Sequence, residues 1–157
     1  MNVPLSRLEL APLHRPPGGA TTERWSWDFV VDGRSLAAAL AADVAGALGW
    51  GDPAWQALIL DKLLGRSAPD LPPDRVALYV CPECGDLGCG AVTASVVREG
   101  DAVVWRDFAW ERDWEAPAPA DRLALGPFRF ERGPYGRLLR AATEARPGPG
   151  TPPLAVA

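Results

Sequence analysis

The chain carries one histidine and one methionine, and all but one of its sixteen basic residues are arginine. With His14 as the sole imidazole, the sequence identifies no Cys-His or Ser-His-Asp nucleophile arrangement. Long apolar runs are missing too: no window approaches the ~20 apolar residues that span a bilayer. The N-terminal "MNVPLSRLELAPLHRPPGG" is broken by prolines and has no hydrophobic run of signal-peptide length. These absences predict a cytoplasmic protein with no membrane partner. No lysine/arginine block occurs, and the net charge of −4 with a pI near 5.0 speaks against nucleic acid as a partner. A Gly-x4-Gly-Lys-Ser/Thr phosphate loop and a dinucleotide fingerprint are both absent, so no nucleotide cofactor is indicated.

What remains has the composition of a folded, water-soluble domain, with 48% hydrophobic and 23% charged residues in 157. That length buries a core without disulfide or metal staples. The preponderance of arginine, alanine, glycine and proline matches a GC-rich genome, which argues against reading arginine clusters as sites.

"LSRLELAPL" over 5–13 alternates weakly and predicts a short strand. "ERWSWDFVVDGRS" places Trp25, Trp27, Phe29 and Val31 on one face of a second strand that ends in an Asp-Gly turn. Ser35 is a good N-cap for an alanine-rich helix running to Leu48, and Asp52-Pro53 opens another that closes at Gly65. "RSAPDLPPD" over 66–74 reads as a connector. "RVALYV", "AVTASVVR" and "AVVWRDFAW" then form a three-stranded meander, followed by a connector from Glu111, a short strand in "GPFRFE" and a closing helix in "GPYGRLLRAATEAR". The sum is α+β: a mainly antiparallel sheet including a three-stranded meander, with helices packed against it. A single domain over 1–145 is expected, with a disordered tail over 146–157 because "PGPGTPPLAVA" has no apolar periodicity and four prolines.

All three cysteines fall in "VCPECGDLGCG", between the first two strands of the meander. Three readings fit them. A Cys-x2-Cys pair in a glycine turn lets both sulfurs face one ion, so Cys81, Cys84 and Cys89 could hold zinc structurally. No second Cys-x2-Cys exists, which leaves His14 or Asp86 as fourth ligand, a water, or a second copy of the chain. The second reading is dithiol chemistry, Cys84 working with Cys81 or Cys89; the flanking strands do not supply the helix N-terminus that usually activates such a pair. In the third, small apolar cysteines pack under a sharply turning loop.

The loop "CPECGDLGCG" after a strand, a hairpin ending in "WRDFAW" and a later "LGPFRFERGPY" resemble an uncharacterised family of small bacterial proteins, some of which carry an oxidoreductase label. The resemblance covers roughly 76–140 and centres on Cys84, Gly85, Asp86, Gly88, Cys89, Trp105, Asp107 and Phe108. It implies that this assembly distinguishes the family and that the position of Cys81 varies, which would weight the Cys84/Cys89 pair.

Period-two alternation puts Trp105 and Asp107 on one face of the last meander strand and Phe108 and Trp110 on the other. Trp105, Asp107 and Trp110 are therefore candidate partner-binding residues, against the plainer expectation of a sheet covered on both sides. Asp86 and Asp107 form a candidate carboxylate pair. The leading functional expectation is a small cytosolic binding or accessory domain for a protein partner, and the competing one is a thiol-dependent redox enzyme.

Overall fold

The structure, a computed structural model, describes residues 3–66, 75–112 and 115–156. It is α+β. One antiparallel sheet contains β1 (Leu8–Arg15), β2 (Arg24–Val31) and β3 (Arg34–Ser35) in that order. A second, five-stranded and also antiparallel, runs β4 (Ala45–Gly46), β5 (Arg75–Val80), β6 (Ala91–Glu99), β7 (Ala102–Glu111), β8 (Phe128–Glu131). The expected meander is β5-β6-β7 at its centre. Among the described residues three α-helices complete the fold: α1 (Leu36–Leu40), α2 (Pro53–Leu63) and α3 (Arg132–Glu144).

Local signals placed most of these elements. The Asp52 side chain accepts the Trp55 N–H at 2.8 Å and Pro53 occupies the first turn of α2. Ser35 caps α1 as expected, but α1 ends after five residues at Ala41, which adopts a left-handed φ of 51°. The predicted helix to Leu48 is thus mostly replaced by β4 and the bends that flank it. The cause is tertiary. Ala45 and Gly46 pair with Val80 and Tyr79, and the Leu48 carbonyl accepts the Trp27 N–H at 2.9 Å, so the segment hydrogen-bonds to both sheets. Helix propensity of a few tenths of a kcal/mol per residue yields to that pairing. Gly46 is required there, since a Cβ would stand 1.9 Å from the Trp27 carbonyl oxygen.

The core lies between the sheets and α3, around the fully buried Trp27, Phe29, Tyr79, Trp105, Phe108 and Phe130. Phe29 meets Tyr79 and Trp105 edge-on at 5.6 and 5.3 Å between centroids. Buried polar tips find partners, as desolvation demands. Trp105 Nε1 donates to Tyr135 Oη at 3.0 Å, whose own hydroxyl donates to the Leu63 carbonyl at 2.7 Å, tying β7, α3 and α2 together.

Two further expectations are corrected. Residues 146–156 are not a loose tail: Leu154 and Leu10 exchange backbone hydrogen bonds of 2.9 and 2.7 Å, and Pro147 is buried. The open edge of β1 recruits the segment, and one bridge at Leu154 needs no apolar periodicity. The alternation in β7 is also broken. Between Thr93 and Ser95 of β6, two residues of β7, Asp107 and Phe108, oppose Ala94 alone, and Asp107 takes a φ of 56°. This bulge resets the parity, so Trp105 and Phe108 are both buried. The connector over 66–74 lies outside the described residues except for Arg66, as do Asp113 and Trp114 of the one that follows β7.

Candidate metal centre

Three cysteines reach one point because β5 and β6 are adjacent antiparallel strands and the loop between them turns back on itself. Cys81 directly follows β5. The Gly85 N–H donates to the Cys81 carbonyl at 2.8 Å, closing the knuckle, and Gly85 takes a φ of 72° that disfavours any side chain. Asp86 then caps a 3₁₀ turn over Leu87–Cys89 by accepting the Gly88 N–H at 2.8 Å, which swings Cys89 back toward the knuckle. The three Sγ atoms lie within 4.8 Å of one another, and Cys84 and Cys89 stand 3.6 Å apart. All three thiols are free; Cys84 and Cys89 are exposed and Cys81 is half-buried.

The spacing fits a tetrahedral thiolate site. Zn–S bonds of about 2.3 Å at the tetrahedral angle put neighbouring sulfurs about 3.8 Å apart. Backbone donors are also in place: the Asp86 N–H lies 3.4 Å from the Cys84 sulfur, and the N–H groups of Glu83 and Cys84 face Cys81. Burial pushes the Cys81 thiol up, but those donors and the two neighbouring thiols outweigh it and leave its pKa lowered. Cys89 moves the other way, to about 11, because it shares a hydrogen bond with Cys84 and negative charge nearby opposes its ionisation. One thiolate in the trio therefore suppresses the next unless a cation enters.

The loop is braced from outside by residues that no local pattern marks. Glu83, between the two knuckle cysteines, accepts from the Thr22 N–H and Oγ1 at 3.0 and 2.8 Å and pairs with Arg15. Arg15 also forms a two-pronged pair with Asp43 at 2.9 and 2.8 Å. Arg15 and Thr22 hold the Glu83 carboxyl down to about 2, Asp43 is lowered by the same guanidinium, and Arg15 is raised in return. Arg24 donates to the Pro82 carbonyl at 2.9 Å and lies 4.0 Å over the Trp50 ring. The β1–β2 hairpin thus clamps the knuckle across a long sequence separation. The only clue in the sequence was an acidic residue inside the Cys-x2-Cys pair.

The other candidates fall apart in space. His14 hydrogen-bonds Glu23 at 2.8 Å and stacks on Trp25 at 4.1 Å, and the Asp86 carboxylate is used on Gly88; neither joins the group of sulfurs. Trp105 is fully buried and offers no contact surface. Asp107 is exposed at the bulge in mid-strand rather than beside Asp86, and its carbonyl accepts from Arg75. Trp110 alone adjoins the cysteines. It is half-buried between two clefts that open beside Cys89, one of about 180 Å³ shared with Arg15 and Asp43, the other about 350 Å³ shared with Glu111 and Asp121. Among the described residues no helix is long and apolar enough to cross a membrane. Comparison with protein-family models, curated proteins and solved structures finds no match for this chain.

Proposed function

We propose that the chain is a small binding or accessory domain whose cysteine loop is organised by a structural zinc ion on Cys81, Cys84 and Cys89. The observation that carries this reading is the convergence of three sulfurs within 4.8 Å of one another on a loop already fixed by hairpin contacts. When bound, zinc would supply the positive charge that lets all three thiols ionise together and would lock β5 to β6 at the loop. The chain's own residues do the positioning. Gly85 and Asp86 set the turns, Glu83 anchors the knuckle to Arg15 and Thr22, and backbone N–H groups face the sulfurs. Trp110 beside Cys89 is the aromatic residue suited to meet a protein partner at this end of the sheet.

The 3.6 Å approach of exposed Cys84 and Cys89 favours a second reading, a reversible dithiol. In that reading Cys89, pushed up to about 11 by its hydrogen bond with Cys84, is a poor attacking thiolate and would serve as the resolving thiol.

Elemental mass spectrometry on protein purified without a histidine tag, paired with thiol counts in native and denatured samples, tests both. The metal reading requires about one zinc per chain and thiols that react only after chelation. A metal-free protein that takes up no added zinc and has a fast-reacting thiol at neutral pH overturns it in favour of the dithiol.

A further inference from the structure

At the end of β6 remote from the cysteine loop, five arginines line one open cleft of about 460 Å³: Arg66, Arg98, Arg132, Arg137 and Arg140. Among the described residues no carboxylate lines it, and none of the five pairs with one. The acid beside Arg98 in sequence, Glu99, pairs instead with Arg106 at 3.6 Å. Five arginines around one cleft, of which Arg132 also donates to the Gly100 carbonyl at 3.5 Å, are a local reversal of sign in a chain of net charge −4.

The arrangement is built. Arg98 Nε donates to the Leu64 carbonyl at 2.9 Å, fixing the fork while leaving its terminal nitrogens to the cleft. Arg137 and Arg140 fold back one turn along α3 onto Gly133 and Gly136, where an added Cβ would stand 3.3 and 3.0 Å from their Nη1 atoms. The Arg98 side chain likewise runs 3.5 Å from the Cβ position of Gly65. Glycine inside a helix costs about 1 kcal/mol relative to alanine. A compositional bias supplies arginine and glycine alike, but it would not clear carboxylates from between the guanidiniums.

We propose that this cleft binds a polyphosphate chain. Guanidinium forks match phosphate oxygens two at a time, and five of them suit several linked phosphates better than one. Among the described residues the cleft offers no open aromatic face for a nucleobase: Tyr135, the aromatic residue lining it, is buried, stacks on Phe130 at 5.6 Å and commits its hydroxyl to Leu63. The phosphate chain is therefore the recognised element, whether inorganic or the tail of a nucleoside triphosphate.

Isothermal titration of the full chain with sodium tripolyphosphate, ATP, orthophosphate and a single-stranded oligonucleotide tests this, at low and raised salt. Tripolyphosphate and ATP should bind within about threefold of each other, and orthophosphate roughly tenfold or more weaker, with affinity falling as salt rises. Arg137→Gln with Arg140→Gln should weaken tripolyphosphate roughly tenfold or more without changing the circular dichroism spectrum, whereas Arg7→Gln, outside the cleft, should leave it unchanged. Arg98→Lys should also weaken it, because charge is kept but the fork is lost. Four results would each overturn the proposal: no tripolyphosphate binding at millimolar concentration, unchanged affinity in the double variant, an oligonucleotide that binds more tightly than tripolyphosphate, or ATP that does so by far more than threefold.

Discussion

Glu111→Gln should be among the most damaging single-atom changes available in this protein. Glu111 ends β7, its side chain is 2% exposed, and it pairs with Arg75, itself 5% exposed. Glu111 Oε1 also accepts from Thr93 Oγ1 at 2.8 Å, while Arg75 donates to Thr93 Oγ1 and the Thr93 carbonyl at 3.1 and 3.2 Å and to the carbonyl of Asp107 at the bulge. Glutamine preserves volume and an acceptor for Thr93 but takes from the buried Arg75 cation the carboxylate it pairs with directly, leaving only the more distant charge of Asp107, a loss worth about 3–5 kcal/mol. For a chain of this size each kcal/mol moves the melting temperature by about 2–4 °C, so a fall of about 6–20 °C is expected. Removing both charges in Arg75→Met with Glu111→Leu should recover most of it, since apolar replacement of a buried pair is often near neutral. The residual cost is the donor lost to each of two carbonyls, about 1 kcal/mol apiece. Scanning calorimetry with urea unfolding on the wild type, Glu111→Gln, the singles Arg75→Met and Glu111→Leu, and their double variant closes the cycle. A Glu111→Gln melting point within 2 °C of wild type, or a double variant as unstable as the sum of its singles, would refute the argument.

Three further outcomes follow from the geometry. The depressed Glu83 carboxyl means that the clamp on the knuckle contributes fully above the unfolded glutamate pKa near 4.3 and is lost as pH falls through about 2. Amide exchange at Thr22 should therefore remain protected at pH 4 and lose protection toward pH 2, and an unshifted Glu83 in a carbon-detected titration would contradict this. Gly85→Ala forces a side chain into a left-handed backbone with the Trp50 ring 3.3 Å from the new Cβ; about 1–2 kcal/mol of stability and part of the zinc affinity should go with it, read by melting and by competition with a chromogenic chelator. Deleting residues 147–157 removes both hydrogen bonds between Leu154 and Leu10, at about 0.5–1.5 kcal/mol each, and unchanged urea unfolding would show that the segment adds nothing.

Local chemistry in the sequence was enough to place β2, α2, the β5-β6-β7 meander and α3. An Asp-Gly turn, an Asp-Pro start and runs of β-branched residues act within a few residues of where they stand. The α+β class followed from the order of those elements, and the cysteine cluster from three thiols in one loop. Distance in the chain hid the rest. The helix expected to reach Leu48 gives way to β4 because Tyr79, Val80 and Trp27 need hydrogen-bond partners, and those residues lie on other strands. Trp105 is core rather than a candidate surface because Phe29, Phe130 and Tyr135 from remote elements pack around it, and the bulge at Asp107, set by pairing with β6, brings Phe108 into the core as well. The same limit applies to function: the sequence offered Cys81, Cys84 and Cys89, but Arg15, Thr22 and Arg24 reach Pro82 and Glu83 only once two sheets pack. Five arginines that looked like composition converge on one cleft for the same reason. Side-chain identity is carried by the chain, whereas proximity between remote residues is created by burying a common core.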